Sequence, residues 1–434
     1  VFPRILGKAL PRIVRAEGCT LWDEGGKRYL DGSGGAVVVN VGHGRDAVAQ
    51  AMARQASAAA YVHGTQFSTP VLEEYAGRLG RHVPGDCTRL YLVSGGSEAN
   101  ETAIKMARAY HVARGEPARH KIVGRTVSYH GNTLFTLGVS GRPNLQAPYR
   151  PLLPEGHQAV APFCYRCPLG LTYPECDVVC VEDLEAVVQR EGPGTVAAYL
   201  AEPIIGASAG AAVPPEEYAR RARETCDRHG ILYIDDEVMT GFGRTGRFFA
   251  IEWSGVAPDL VTCGKGMSGG YAPVGAVLAS ARVHDTLADA GGFVHGFTFS
   301  HHPVTAAACL ATLDILEEER LVERAQVMGE KAIGLLQPLR RHRHVGDVRG
   351  RGLMIGVELV ADVATRAPFP RARKAAETVA AAALQAGLVL YPSTGCADGT
   401  AGDLVMLAPP FVVTEDELAE MAAILDRVLT TLDL

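Results

Sequence analysis

Residues 231–265 read ILYIDDEVMTGFGRTGRFFAIEWSGVAPDLVTCGK. The apolar run that opens them reads as a buried strand and delivers Asp236, Glu237 and Val238 to its carboxyl end. A second apolar run, 259–263, delivers Lys265 just beyond its own end, so an acid and an amine reach the same rim. Outward from this stretch the chain alternates strand and helix. Strands are expected at 89–93, 121–124, 196–201, 232–235 and 275–279, with helices over 69–81 and from the glycine turn after residue 93 to Tyr110. A further helix, 214–229, has prolines and glutamates at its start and Gly230 just past its end. Alternation of this kind implies an α/β fold with a mostly parallel central sheet flanked by helices.

Both flanks depart from that pattern. Residues 18–40, with GCTLWDEGGKRYLDGSGG, read as short strands joined by glycine turns, an antiparallel entry segment. The last hundred residues hold alanine-rich helical stretches around 372–386, isolated strands, and a final helix opened by Thr414 and Glu417 as a capping box. That composition fits a second, smaller α/β domain. The 434 residues exceed the roughly 250–300 at which one hydrophobic core stops growing, so two domains are expected.

Hydrophobic residues make up 47% and charged residues 21%, the proportions of a globular enzyme. A net charge of -6 argues against nucleic acid or an anionic membrane as the main partner. No apolar run approaches the roughly 18 residues of a membrane span, and VFPRILGKAL lacks the apolar centre of a signal peptide, so a cytoplasmic protein is expected. Of ten cysteines, six are scattered among apolar or turn residues. Cys164, Cys167, Cys176 and Cys180 cluster as C-x2-C-x8-C-x3-C. The short spacer and the unusual second pair favour reduced thiols or a loop-stapling disulfide over zinc, and no metal site is assigned.

A lysine and a carboxylate on one rim are the two groups that pyridoxal phosphate chemistry asks of a protein. The amine condenses with the cofactor aldehyde as a Schiff base, and the acid keeps the ring nitrogen protonated. DEVMTGFGRTG at 236–246, followed by GKGMSGGYAPVGAV at 264–277, resembles the signature of the class III, or subgroup II, aminotransferases of the aspartate aminotransferase fold, fold type I. The resemblance runs from about Gly18 to the final helix. It implies an N-terminal segment, 1–60, packing with the small domain, a large cofactor-binding domain, 61–310, and a small C-terminal domain, 311–434. It also implies a homodimer with shared active sites.

Site residues follow from the same likeness. Lys265 and Asp236 are the expected catalytic pair. Gly95, Gly96 and Ser97 follow a strand and open a helix, where backbone amides and the helix dipole favour a dianion; with EANE behind them they resemble the family's phosphate cup, although Gly95 stands where a hydroxyl is usual. Thr298 resembles the threonine that reaches the phosphate of the neighbouring subunit. Tyr129, in YHG, resembles the aromatic that stacks on one face of the ring while Val238 covers the other. Glu202 matches a glutamate near the ring, and His130 is cofactor-lining at most.

Departures from the family bear on substrate. The glutamate and arginine that bind an α-carboxylate in glutamate-using members are replaced by Ala207 and Met406, and Met239 stands where a glutamine commonly contacts the cofactor hydroxyl. These changes resemble the amine or ω-amino acid:pyruvate branch, a ping-pong transaminase that takes an amine or amino acid donor and a keto acid acceptor. Arg142 is the one cation suggested for an acceptor carboxylate. Decarboxylation, aminomutation and racemisation use the same lysine and aspartate and stay open as alternatives, as does a non-catalytic cofactor-binding protein.

Overall fold

The computed structural model describes residues 2, 5–7 and 9–432. Positions 1, 3, 4, 8, 433 and 434 lie outside the described residues, and four of them belong to the amino-terminal stretch read for a signal. The central sheet has seven strands: β1 (Arg89–Val93), β2 (Lys121–Arg125), β3 (His157–Ala159), β4 (Val196–Ala201), β5 (Leu232–Asp236), β6 (Leu260–Gly264) and β7 (Gly275–Ala279). Their order is β1-β7-β6-β5-β4-β2-β3, and only β7 runs antiparallel to its neighbours. Every residue of β4 to β7 is buried, which is why these strands read as unbroken apolar runs and not as alternating ones. The three-residue β3 left no such signal.

Expected boundaries hold to within three residues: the helix expected to end at Tyr110 runs on to Ala113, and the alanine-rich helix begins at Ala375. The helix expected over 214–229 begins at Glu216 because Pro215 is extended, at ψ 145°; Gly230 closes it in the left-handed conformation at φ 63°. In the final helix, Glu415–Thr431, Thr414 and Glu417 cap one another in both directions. Residues 241–246, GFGRTG, carry dinucleotide-loop spacing but run into a 3-10 turn at Ala250–Ser254 and open no α-helix.

Strand alternation sorts the core into two faces. Leu232 and Ile234 of β5 pack with Ala99, Ala103 and Ala107 of the helix Gly96–Ala113, while Tyr233 belongs to the cluster on the other face. Asp236 therefore falls on the side of that helix.

Two further four-stranded sheets flank the centre. Ile13–Glu17, Thr20–Asp23 and Arg28–Asp31 form an antiparallel ribbon, completed by Leu388–Val389 pairing parallel with Arg28–Asp31. Val345–Arg351, Met354–Leu359, Asp403–Leu407 and Tyr391–Thr394 form the other sheet in that order.

All ten cysteines are free thiols, so the loop-stapling disulfide is not formed. Cys164, Cys167, Cys176 and Cys180 line one small hollow, yet among the described residues no group of three His, Cys, Asp or Glu side chains is arranged to hold a metal ion. Among the described residues no helix is long and apolar enough to cross a membrane.

Candidate active site

The carboxyl ends of β5 and β6 open onto a cavity of about 490 Å³. Of the residues singled out from the sequence, Gly96, Ser97, Tyr129, His130, Glu202, Asp236, Val238, Met239 and Lys265 line it. Gly95 and Thr298 do not. Gly95 caps the helix Gly96–Ala113 from behind. Thr298 is exposed, and its carbonyl accepts a hydrogen bond from the Tyr61 hydroxyl at 2.9 Å.

Asp236 is 3% exposed, but its charge is well supported. His130 Nδ1 lies 2.8 Å from Oδ2, Asn100 Nδ2 donates to the same oxygen at 2.9 Å, and the Val238 amide donates to Oδ1 at 3.1 Å. Burial pushes the carboxyl up, but these partners outweigh it and hold the group below the usual aspartate value, so it is ionised at neutral pH. Since a carboxylate can only accept, Nδ1 of His130 carries the proton. His130 Nε2 is buried with no hydrogen-bond partner, an orphan atom on a residue of the cavity wall.

The neighbouring acids behave differently. Burial, with the charges of Glu237 and Asp236 adding to it, raises Asp235 well above the carboxylate range. Glu237 is pushed up to about 8, chiefly by burial, and receives hydrogen bonds from the Thr240 hydroxyl and the Ile251 amide. Neither lines the cavity.

Lys265 sits in the left-handed region at φ 47°, a conformation costly for a side chain with a Cβ and one that clusters at functional sites. Burial lowers its amine to about 8, with Asp236 and Glu202 opposing and Arg244 adding to the fall. A useful fraction is thus the neutral nucleophile near neutral pH.

Gly96 is required at the helix start, because a Cβ there would come within 2.6 Å of Val238 Cγ1. The close approach seats the amino-terminal turn against the residue two beyond Asp236. Ser97 Oγ accepts the Asn132 amide at 3.1 Å, and Glu98 reaches back to the Ser94 amide at 2.8 Å. A helix amino terminus on the cavity wall, an ionised buried acid and a low-pKa amine are the donor set that pyridoxal phosphate requires: an anion site, a partner for a protonated ring nitrogen, and a nucleophile. Glu202 is held by Arg125, and its Oε1 accepts the Tyr129 amide at 3.2 Å.

Sequence reading missed Asn100, Thr262 and Arg125. Asn100 was legible as the residue three positions after Ser97, on the same helix face; Arg125 gave no local signal. Arg142, the cation suggested for an acceptor carboxylate, is engaged with backbone. Its guanidinium is buried and donates to the Thr394 carbonyl at 2.7 Å, and it is not among the residues that line the cavity, although the charges of Tyr129 and Glu202 on that wall act on it.

The profile of the family described as Aminotransferase class-III matches residues 5–429. The chain belongs to the class III aminotransferases. This aminotransferase is 41% identical to a probable aminotransferase of Mycobacterium tuberculosis over 97% of its own length and 90% of the relative's. Among solved structures it resembles an (S)-enantioselective omega-transaminase from Thermomicrobium roseum, 39% identical with a TM-score of 0.91, covering 98% of this chain and 93% of that one. It also resembles an amine transaminase from an uncultivated Pseudomonas species in its pyridoxal phosphate-bound form, 37% identical with a TM-score of 0.92, covering 99% and 97%. The aminotransferase is thus a pyridoxal phosphate-dependent enzyme with the fold of the transaminases, as its sequence implied.

Proposed function

We propose that this aminotransferase moves an amino group from a primary amine or ω-amino acid to a small keto acid such as pyruvate. One observation carries the choice. Ala207, Met239 and Met406, the positions that depart from glutamate-using members, gather in a single apolar cluster with Ile204, Met354 and Leu404, and Ala207 and Met239 also line the cavity. Among the described residues on that wall the only cationic side chain is Lys265. A carboxylate held against that wall would lose its hydration without gaining a charged partner, a cost that the uncharged substituent of an amine donor avoids, so the carboxylate of pyruvate must lie off that wall.

Pyridoxal phosphate, when bound, supplies an aldehyde to carry the amino group and a ring that takes up the electron pair left by a departing α-proton. Lys265 is the residue whose amine would hold the cofactor and, when free, would take the α-proton and return it. Its lowered pKa suits both roles. Asp236 stays ionised and would hold the proton on the ring nitrogen. The first turn at Gly96 and Ser97, with Gly95 behind it, would hold the phosphate, Tyr129 and Val238 would hold the ring, and Glu202, His130 and Met239 would line its site. Thr298, exposed at the surface, serves the site of a second copy, in keeping with a homodimer with shared sites. A cytoplasmic location and a division of the chain at residues 60 and 310 belong to the same reading. Parallel pairing of Leu388–Val389 with Arg28–Asp31 supports grouping the amino-terminal segment with the small domain.

A donor and acceptor panel tests the substrate class. Primary amines and ω-amino acids paired with pyruvate should be converted, and glutamate with 2-oxoglutarate-type acceptors poorly, with a free carbonyl product and a new amine formed together. Faster turnover of glutamate, or release of carbon dioxide or an isomer without a carbonyl product, refutes the proposal.

A further inference from the structure

Asn100 is 1% exposed and has no freedom in how its amide is turned. Nδ2 donates to Asp236 Oδ2 at 2.9 Å and to the His130 carbonyl at 2.8 Å, while Oδ1 accepts the Thr262 hydroxyl at 2.9 Å. A flipped amide would set its oxygen against a carboxylate and a carbonyl and leave the hydroxyl without an acceptor. Thr262 lies directly across from Asp236 in the β5–β6 register, so the strand beside Asp236 fixes the amide that fixes Asp236.

The two oxygens of Asp236 are used unequally. Oδ2 is engaged by two side chains, Asn100 and His130, whereas Oδ1 receives only the Val238 amide and keeps room for another donor. Asn100 also lies one turn along the helix whose first residues, Gly96 and Ser97, line the same cavity. Residues three apart share a helix face, so the segment that meets the cavity at Ser97 also meets Asp236 at Asn100.

We infer that Asn100 is a positioning residue: anchored by Thr262, it holds Asp236 so that Oδ1 remains the free acceptor, and through its helix it locks that orientation to the turn at Gly96 and Ser97. The inference rests on the proposed roles of Asp236 and of that turn. Asn100 donates to the charged form of Asp236, so removing it raises the carboxyl's pKa. A single donor to a buried carboxylate changes an equilibrium by about tenfold to a hundredfold, or about one to two pH units.

The test compares Asn100→Ala and Thr262→Val with the wild type. Affinity of the cofactor-free protein for pyridoxal phosphate is read from quenching of its intrinsic fluorescence between about pH 3 and 8. Asn100→Ala should bind about tenfold more weakly, and the acid limb of its profile should move up by about one unit. Thr262→Val, which frees the amide without removing it, should shift the limb the same way by less. His130, Lys265, Asp235 and Cys263, the other titratable groups around Asp236, are unchanged in both variants. A purely structural asparagine would lower the melting temperature and leave the acid limb in place, and that result overturns the inference. If Asn100→Ala does not fold, an unmoved limb in Thr262→Val overturns it alone. A wild type that takes up no cofactor defeats the functional reading and this one together, whereas normal wild-type binding beside unshifted variants defeats only this one.

Discussion

Three acids stand in a row at 235–237, and their side chains meet opposite fates within one strand end. Asp236 faces the helix Gly96–Ala113 and the cavity, where His130 and Asn100 keep it charged; Asp235 and Glu237 turn away, and burial drives both towards the protonated form. Identity of residue type says nothing about charge here; the balance of burial against the partners of each group does, and only Asp236 has a histidine among them. The same reasoning gives Lys265 a kinetic signature. Its amine, lowered to about 8 by burial, is mostly protonated below that pH and mostly neutral above it. The rate at which cofactor-free protein develops a visible absorption band on mixing with pyridoxal phosphate should rise about tenfold per pH unit towards 8 and level off beyond it. Lys265→Ala should show neither the band nor turnover while melting near the wild-type temperature. A rate profile still climbing steeply past pH 9 would mean that the amine is not buried as the structure has it.

At the scale of the element, β7 governs the turn at Gly95 and Gly96 without touching the cavity. Gly275 lies where a Cβ would stand 2.2 Å from the carbonyl oxygen of Gly95, and that neighbour is backbone, which cannot swing aside. Gly275→Ala should therefore push the turn at Gly95 and Gly96 outwards. Overpacking of this kind costs about 1–3 kcal/mol. The variant should bind pyridoxal phosphate more weakly by a larger factor than it binds pyridoxal, which has no phosphate; equal losses for both would count against the phosphate assignment. The elements themselves were largely legible. β4 to β7 are continuous apolar runs because both faces are covered, and the ends of the final helix carry their own capping residues. β3 was not legible, since three residues pairing at an edge bury too little to leave a pattern.

Across the whole molecule, Arg244 acts as a buried staple. Its guanidinium donates to the carbonyls of Leu353 and Pro409 in the carboxyl-terminal part and of Val39 in the amino-terminal part, and it lies 4.6 Å from the Phe411 ring centroid. Burial lowers its pKa to about 9, with Asp31 and Cys19 opposing, so the cation survives at neutral pH in an apolar setting. Arg244→Ala would leave three buried carbonyls without donors and should destabilise the protein by about 3 kcal/mol or more, measured by urea unfolding. Hydrogen exchange should quicken at Leu388–Val389 and in the ribbon it completes; a loss under about 1 kcal/mol would show that water or a neighbouring group replaces the arginine.

The sequence by itself determined the alternating α/β architecture, the placement of Lys265 and Asp236 at the ends of adjacent strands, and the family, because strand burial and strand-end chemistry are written in local runs of residues. Tertiary structure alone decided that Asn100 and Thr262 converge on Asp236, that Arg125 holds Glu202, that Arg142 donates to the Thr394 carbonyl, and that Ala207, Met239 and Met406 form one apolar wall. Those contacts join segments tens to hundreds of positions apart, and nothing in a short window of sequence encodes which distant side chain will fill a hydrogen bond or a gap left by its neighbour.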